Sequence, residues 1–236
     1  MKHQLYMWGP YRAHLLERHD SYVEAMKVRI FPQFADITGE ADRYLEDTWQ
    51  AFMNMPARDD IDPSDLAESA QEAAVAKYDV LCFLKREIYL GALAGLYHIW
   101  ERLLRNFLER ELNHTVTREA SINRAWHSNI DGVVGLLAAF GWNIRTEGFY
   151  PYLDACRLIV NVYKHGKGNS FDQLIKKYPH YLRDPNPQIP VLALGGDIHH
   201  LDMLEVDEQD ILTIAAAMRV FWEKFPERLF LPAQVP

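Results

Sequence analysis

The stretch Asp62-Pro63-Ser64-Asp65-Leu66 opens a run to Leu112 that predicts one long helix. Aspartate is a preferred capping residue at a helix N-terminus, and proline suits the first helical position. No other proline interrupts the run, and its apolar residues recur at spacings of three and four, as on one face of a helix. These residues are Leu66, Ala70, Ala73, Ala74, Tyr78, Leu81, Leu84, Ile88, Ala92, Leu96, Ile99, Leu103 and Phe107. The helix would be on the order of 70 Å long, unless it bends near Gly91 and Gly95.

Helical patterns also dominate on both sides of this run, so the predicted fold class is all-α. The other predicted helical segments are residues 12–55 with interruptions at Pro32 and Gly39, then 118–127, 130–140, 151–165, 169–178 and 207–222. A capping box from Asn169 and Ser170 to Gln173 is expected to begin the segment at 169, and Asp207 to cap the last one. Residues 191–201 suggest a small β-hairpin. A boundary near residue 60 would separate an N-terminal helical extension, 1–60, from a main helical domain, 61–236.

Composition narrows the class of protein. The chain has 236 residues, 49% of them hydrophobic and 12% aromatic, which is enough to bury a large core. The formal net charge of −8 argues against sequence-blind nucleic-acid binding over the whole surface. The two cysteines lie far apart in apolar segments, as buried thiols of a reducing compartment do. The N-terminus lacks the apolar core of a signal peptide, and the longest apolar run, 133–142, is about half of a membrane span. We therefore expect a cytoplasmic protein that does not enter a membrane.

A second stretch, Arg157-Leu-Ile-Val-Asn161-Val-Tyr-Lys164-His165-Gly166-Lys167-Gly168, carries the residue types of a functional site. Helical spacing places Arg157, Asn161, Lys164 and His165 on one side of a helix end. Gly166 follows them, and glycine is the residue type best able to end a helix in the left-handed conformation. A cationic cluster with a titratable histidine is what recognition of a phosphate or nucleotide requires.

The charge around this stretch is locally basic. Between residues 157 and 183 the cations are Arg157, Lys164, Lys167, Lys176, Lys177 and Arg183, against the single acidic residue Asp172. A solvated helix face would look the same. The cluster also has ordinary structural explanations, because Asn161 could bridge neighbouring helices and His165 could bond the last helical carbonyls.

Metal and cofactor motifs are weak, so we expect neither. Glu111 and His114 have the Glu-x-x-His spacing of di-iron bundles, but a second such pair is missing. His199 and His200 are adjacent and would point to opposite faces of a strand. Gly166-Lys-Gly168 is too short for a Walker motif.

Two segments resemble the HEPN superfamily (higher eukaryotes and prokaryotes nucleotide-binding), whose helical-bundle domains often dimerise. Tyr97-His-Ile-Trp-Glu101-Arg-Leu-Leu-Arg-Asn-Phe-Leu is similar to the first core helix of the family, in which a glutamate recurs; we assign Glu101 a structural role. Asn161-Val-Tyr-Lys-His165-Gly matches the Asn and His of the family signature Arg-Asn-x-x-x-His. The likeness covers about residues 75–225.

The resemblance implies metal-independent RNA cleavage of the toxin or phage-defence type, at a cleft between two copies of the chain and with a cognate antitoxin. His165 would act as general acid or base, and Asn161 would orient groups. Arg157, Lys164 and Lys167 would bind phosphate. The chain departs from the family pattern because Val160 stands where the signature has arginine. A non-catalytic HEPN-like interaction or sensing module, whose basic patch binds an acidic partner, is the alternative.

Overall fold

The computed structural model describes residues 4–55, 62–114, 117–183 and 203–231. The α-helices are α1 (Gly9–Arg29), α2 (Ile37–Met53), α3 (Pro63–Leu112), α4 (Arg118–Ile122), α5 (Ile130–Ala139), α6 (Tyr150–His165), α7 (Asn169–Lys177) and α8 (Glu208–Lys224). Short 3-10 turns lie at Phe31–Phe34, Ile144–Thr146 and Pro179–Tyr181, and a π-helical turn at Asn123–His127. Two three-residue strands, β1 (Gln4–Tyr6) and β2 (Arg228–Phe230), pair antiparallel. The all-α class is confirmed, and the hairpin predicted at 191–201 lies outside the described residues.

Several helix ends fall where the sequence predicts them. Helix α3 runs unbroken from Pro63 to Leu112, and the Asp62 carboxylate accepts a hydrogen bond of 2.8 Å from the Ser64 N–H. Helix α8 begins with a reciprocal capping box, in which the Asp207 side chain accepts from the Asp210 N–H at 2.7 Å. These caps are local, so a sequence pattern is sufficient to predict them.

Two local predictions are wrong. Gly39 does not interrupt a helix, because it lies inside α2, where its N–H donates to the carboxylate of the N-cap residue Asp36 at 3.1 Å. The predicted capping box at Asn169 is absent as well. Helix α7 has Gly168 as its N-cap, and no side chain caps its first turn.

The chain divides into two compact units that differ from the expected division at residue 60. Unit 1 comprises Met1–Glu24 with Leu90–Pro236, and unit 2 comprises Ala25–Tyr89. Residue 60 therefore falls within the second unit. The reason is that residues 4–6 pair with residues 228–230.

In unit 1 strands β1 and β2 pair beside the end of α3. Leu5 of β1 pairs with Leu229 of β2, and the Met7 N–H donates to the Glu227 carbonyl at 2.8 Å. The Tyr6 N–H donates to the Glu111 carboxylate at 3.1 Å. These long-range contacts make the N-terminus part of unit 1.

The core of unit 1 is an aromatic cluster between α3, α8 and the segment before α6. The Phe221 ring lies 5.1 Å from that of Trp100 and 5.2 Å from that of Trp142, and Phe225 lies 5.0 Å from Phe107. Phe107 and Phe221 are fully buried. Such pairs contribute beyond their buried area, so this cluster helps to stabilise unit 1.

Helix α3 passes two glycines without a break, and one of them is required by packing. A Cβ at Gly95 would lie 2.5 Å from the Tyr22 hydroxyl oxygen, which donates to the Ala92 carbonyl at 3.3 Å. A Cβ at Gly91 would meet the Tyr163 hydroxyl of α6 at an ordinary 3.8 Å. The close approach of the Tyr22 side chain of α1 to α3 explains Gly95.

Unit 2 is built around aromatic contacts at the end of its α3 segment. The rings of Phe31 and Phe34 lie 5.2 and 5.8 Å from that of Tyr89. Ala70 and Ala74 are buried as well.

Across the residues that the structure describes, no helix is long and apolar enough to cross a membrane.

Candidate functional site

Helix α6 carries the predicted site residues at its C-terminal end. It begins with Pro151 in its first turn, as predicted, and ends at His165. Gly166 has a φ of +67°, and its N–H donates to the Val162 carbonyl at 2.7 Å. A side chain at this φ would be strained, so Gly166 ends the helix for a conformational reason.

Four candidate polar side chains are displayed around this helix end. Asn161 is half-buried, whereas Lys164, His165 and Lys167 are exposed. Within the described parts of the chain, none of the four makes a side-chain hydrogen bond or ion pair. The structural explanations weighed for Asn161 and His165 would require such bonds. These side chains are therefore available to a ligand.

Arg157 is not displayed with them, although it shares their side of α6. Its guanidinium donates two hydrogen bonds to the Asp154 Oδ1, from Nε at 3.1 Å and from Nη2 at 2.6 Å. The Arg157 side chain is only 15% exposed. Helical spacing predicts the backbone position of Arg157, but the ion pair with Asp154 determines where the guanidinium charge lies.

Asp154 is the residue that sequence reasoning missed. Its side chain is 5% exposed, and its Oδ2 accepts from the Lys177 Nζ at 2.9 Å and from the Tyr178 hydroxyl at 3.2 Å. Burial alone would raise the pKa of Asp154, but hydrogen bonds and charges from Arg157 and Lys177 outweigh burial and hold that pKa below its usual range. The sequence did contain a signal for this ion pair, because Asp154 precedes Arg157 by three residues on one helix. Asp154 lies just outside the basic segment 157–183.

We call Asp154, Arg157, Lys177 and Tyr178 the Asp154 cluster. It joins α6 to the end of α7, and the two helices pack against each other. Burial and the neighbouring Asp154 charge raise the pKa of Tyr178 to about 12, so its hydroxyl stays a donor. Both carboxylate oxygens of Asp154 accept hydrogen bonds, which is the condition for a stable buried charge.

A small cavity adjoins the Asp154 cluster. Its volume is about 20 Å³, and aromatic and charged side chains line it, among them Tyr97, Trp100, Asp154 and Arg157. The buried Trp100 Nε1 has no hydrogen-bond partner among the described residues. A cavity of this size holds about one water molecule, so a nucleotide does not fit there.

Glu101 lies in an ion pair on α3 rather than at the end of α6. Its Oε1 accepts from Arg105 at 2.6 and 3.0 Å. Arg105 also donates to the carbonyls of Ala125, at 2.6 Å, and Ser128, at 3.0 Å. This network holds α3 against the turn before α5.

The start of α7 adds backbone donors next to the exposed cations. Helix α7 begins at Asn169, two residues after Lys167, and no side chain caps its first turn. The first N–H groups of a helix lack intrahelical acceptors and carry a partial positive charge. The α6–α7 turn, defined here as residues 164–170, therefore combines three exposed basic side chains with a helix N-terminus.

A second, larger cavity lies within unit 2, where the sequence indicated no site. Its volume of about 420 Å³ is in the range of small-molecule pockets. Apolar residues form much of its wall, and Arg29, Gln33 and Glu40 supply polar atoms. The wall also uses Leu84 and Ile88 of α3, which are partly exposed.

Metal and thiol chemistry find no support in the described ranges. No group of three or more His, Cys, Asp or Glu residues there could hold a metal ion. His199 and His200 lie outside those ranges. Cys156 is fully buried, and burial raises the pKa of its thiol, as expected of a packed core cysteine.

The position before Asn161 faces the core. Val160 is 1% exposed, so the position at which the HEPN signature has arginine is packed inside unit 1. The exposed end of α6 thus has an Asn-x-x-x-His pair and two lysines beside it.

No family model, curated protein or solved structure matches this chain. The HEPN resemblance therefore depends on the two sequence segments alone.

Proposed function

We propose that the chain binds a phosphate group of RNA or of a nucleotide at the α6–α7 turn. The observation that carries this proposal is the exposure of Lys164, His165 and Lys167 together, without partners among the described residues. Free cations can form charge-assisted hydrogen bonds with phosphate oxygens. The uncapped start of α7 supports the same ligand, because helix N-termini favour anions.

Catalysis is the second step of the proposal. In the chemistry implied by the HEPN resemblance, His165 would transfer a proton, and Asn161 would orient the ribose hydroxyl or the phosphate. A cation is also needed to stabilise the charge on the phosphate. Arg157 is engaged by Asp154, so Lys164 or Lys167 would supply that cation. A homodimer would bring two such sites to one cleft.

A non-catalytic interaction module is the second candidate function. It is favoured by the burial of Val160 and by the Asp154–Arg157 ion pair, which together leave no arginine beside Asn161. In this case the same turn would bind an acidic partner without cleaving it.

Binding is tested by titrating a fluorescent RNA oligonucleotide, with AMP as competitor, at several salt concentrations. We expect Lys164→Gln and Lys167→Gln each to weaken binding by about tenfold, because each removes one charge-assisted hydrogen bond. Lys27→Gln is the control, since Lys27 is an exposed lysine of unit 2. Equal affinities for all four proteins would contradict a phosphate site at this turn.

Cleavage is tested by incubating a mixed RNA pool with the chain in the presence of a metal chelator. Products formed by the unmodified chain but not by His165→Ala would support the catalytic role of His165. Products that persist in the variant would overturn that role. Binding without any products would favour the interaction module.

A further inference from the structure

We infer that Asp154 determines the class of ligand at the α6–α7 turn, restricting it to a single terminal phosphate, as on a mononucleotide or an RNA 5′ end. This inference rests on the proposed phosphate site and favours its non-catalytic form, because a terminal phosphate is not the internal phosphodiester that RNA cleavage requires. Extended RNA would require cations that contact several phosphates in succession. The structure shows that Asp154 holds two of the cations that could do so.

The first step concerns the charges on α6 and α7. Arg157 and Lys177 both contact Asp154, at 2.6 and 2.9 Å. Together with Asp154 they carry a net charge of about +1, instead of the +2 that two free cations would present. The basic surface predicted from the sequence is therefore smaller than the number of its lysines and arginines suggests.

The second step concerns how firmly these cations are held. The Asp154 carboxylate is buried and satisfied by four hydrogen bonds from three side chains. Moving Arg157 to a phosphate would leave a buried carboxylate partly unpaired, and such a loss is strongly unfavourable. The lowered pKa of Asp154 keeps it ionised near neutral pH, so the ion pair is permanent there.

The third step concerns what remains for the ligand. Lys164 and Lys167 precede the start of α7. Lys176 lies seven residues after Asn169, the first residue of that helix, which is about 10 Å by helical rise. Two exposed lysines three residues apart in the chain, with a helix N-terminus, suit one compact, doubly charged phosphate. The net charge of −8 disfavours further contact with a polyanion.

The test compares a short RNA carrying a 5′-phosphate with the same RNA carrying a 5′-hydroxyl. For the unmodified chain we expect the 5′-phosphate to strengthen binding by about tenfold or more, with a shallow dependence of affinity on salt. Asp154→Asn should strengthen binding of the 5′-hydroxyl RNA. It should also steepen the salt dependence by about 0.7 in the logarithmic slope for each released cation.

Asp20→Asn is the matched control, because Asp20 also pairs with an arginine, Arg219, at 2.9 Å within unit 1. It makes the same change in net charge and should leave the salt slope unchanged. If Asp154 only supports the fold, its Asn variant would bind both RNAs more weakly, which would overturn the inference.

Lys177→Gln decides the question if Asp154→Asn does not fold. The glutamine amide can still donate a hydrogen bond to the Asp154 carboxylate, and Lys177 is withheld from the ligand, so we expect unchanged affinity and slope; a shallower slope would overturn the inference. Equal, strongly salt-dependent binding of both RNAs by the unmodified chain would overturn the inference and leave the proposed function standing. Binding of neither RNA would instead remove the proposed function itself.

Discussion

The two parts of helix α3 follow the same hydrophobic periodicity but differ in how they are covered. In its N-terminal part, residues 63–89, Leu84 of the periodic face is 43% exposed and Ile88 is 37% exposed. In its C-terminal part, residues 90–112, Leu96 of the same face is 1% exposed and Phe107 is fully buried. The C-terminal part is packed against elements from both ends of the chain, whereas the N-terminal part belongs to a smaller unit.

This difference shows what a hydrophobic pattern does and does not specify. Spacings of three and four place apolar side chains on one face of a helix. Burial of that face requires neighbouring elements, which a periodic pattern cannot identify. The N-terminal part of α3 keeps exposed apolar side chains and lines the 420 Å³ cavity of unit 2.

The largest effect should come from truncating one phenylalanine in each part of α3. We expect Phe107→Ala to lower the free energy of unfolding by about 3–5 kcal/mol, because it leaves a cavity in the aromatic cluster. Phe83→Ala should lower it by about 1 kcal/mol or less, because Phe83 is 56% exposed and its ring centroid lies 5.3 Å from the Arg86 guanidinium. Urea denaturation followed by fluorescence measures both values. Similar losses for the two variants would show that the N-terminal part is covered as well as the C-terminal part.

The two cysteines provide a second, smaller contrast between the same regions. Cys82 lies in the N-terminal part of α3 and is partly exposed, whereas Cys156 of α6 is fully buried and its thiol pKa is raised by burial. We expect a thiol reagent to modify Cys82 at least about 100-fold faster, since Cys156 must wait for local or global opening.

Mass spectrometry of the folded protein over time measures the two rates, and Cys82→Ser provides the control that isolates Cys156. Comparable rates for the two thiols would contradict the close packing around α6.

The smallest effect should be a dependence of stability on pH that is confined to unit 1. His19 is buried, and burial lowers its pKa below 6.5. As the pH falls below 6.5, the unfolded chain binds a proton while folded His19 remains neutral, so the free energy of unfolding decreases. Residues 25–89 contain no histidine, so this effect cannot come from the side chains of unit 2.

Denaturation between pH 7.5 and pH 5, with values chosen around about 6.5, compares the unmodified chain with His19→Gln. We expect the variant to lose stability less steeply across this window. His14→Gln is the control, because His14 is an exposed residue of the same helix. A steep loss that survives in His19→Gln would assign the effect to other groups.

Much of the fold and the backbone frame of the site could be predicted from local patterns. The start of α3 at Pro63, the cap at Asp207 and the end of α6 at Gly166 depend on residues within one turn of each other. Such local rules fail where two neighbouring residues could each serve as the N-cap of a helix. At α7, Gly168 became the N-cap, and the expected capping box from Asn169 did not form.

The electrostatics of the site could be predicted only in part. The sequence shows how many cations lie between residues 157 and 183, and it correctly places Lys164 and His165 at a helix end. It does not show that Lys177 returns to Asp154, 23 residues earlier in the chain. A pair so distant in sequence forms only because α6 and α7 pack together.

The sequence by itself determined the helical class, the span of α3 and the presence of Asn161 and His165 one turn apart at a helix end. These properties follow from interactions between residues a few positions apart. Only the tertiary structure decided that Met1–Glu24 joins unit 1, that Val160 faces the core and that Asp154 binds Arg157 and Lys177. Burial and long-range ion pairs depend on which elements meet, and local spacing carries no information about that.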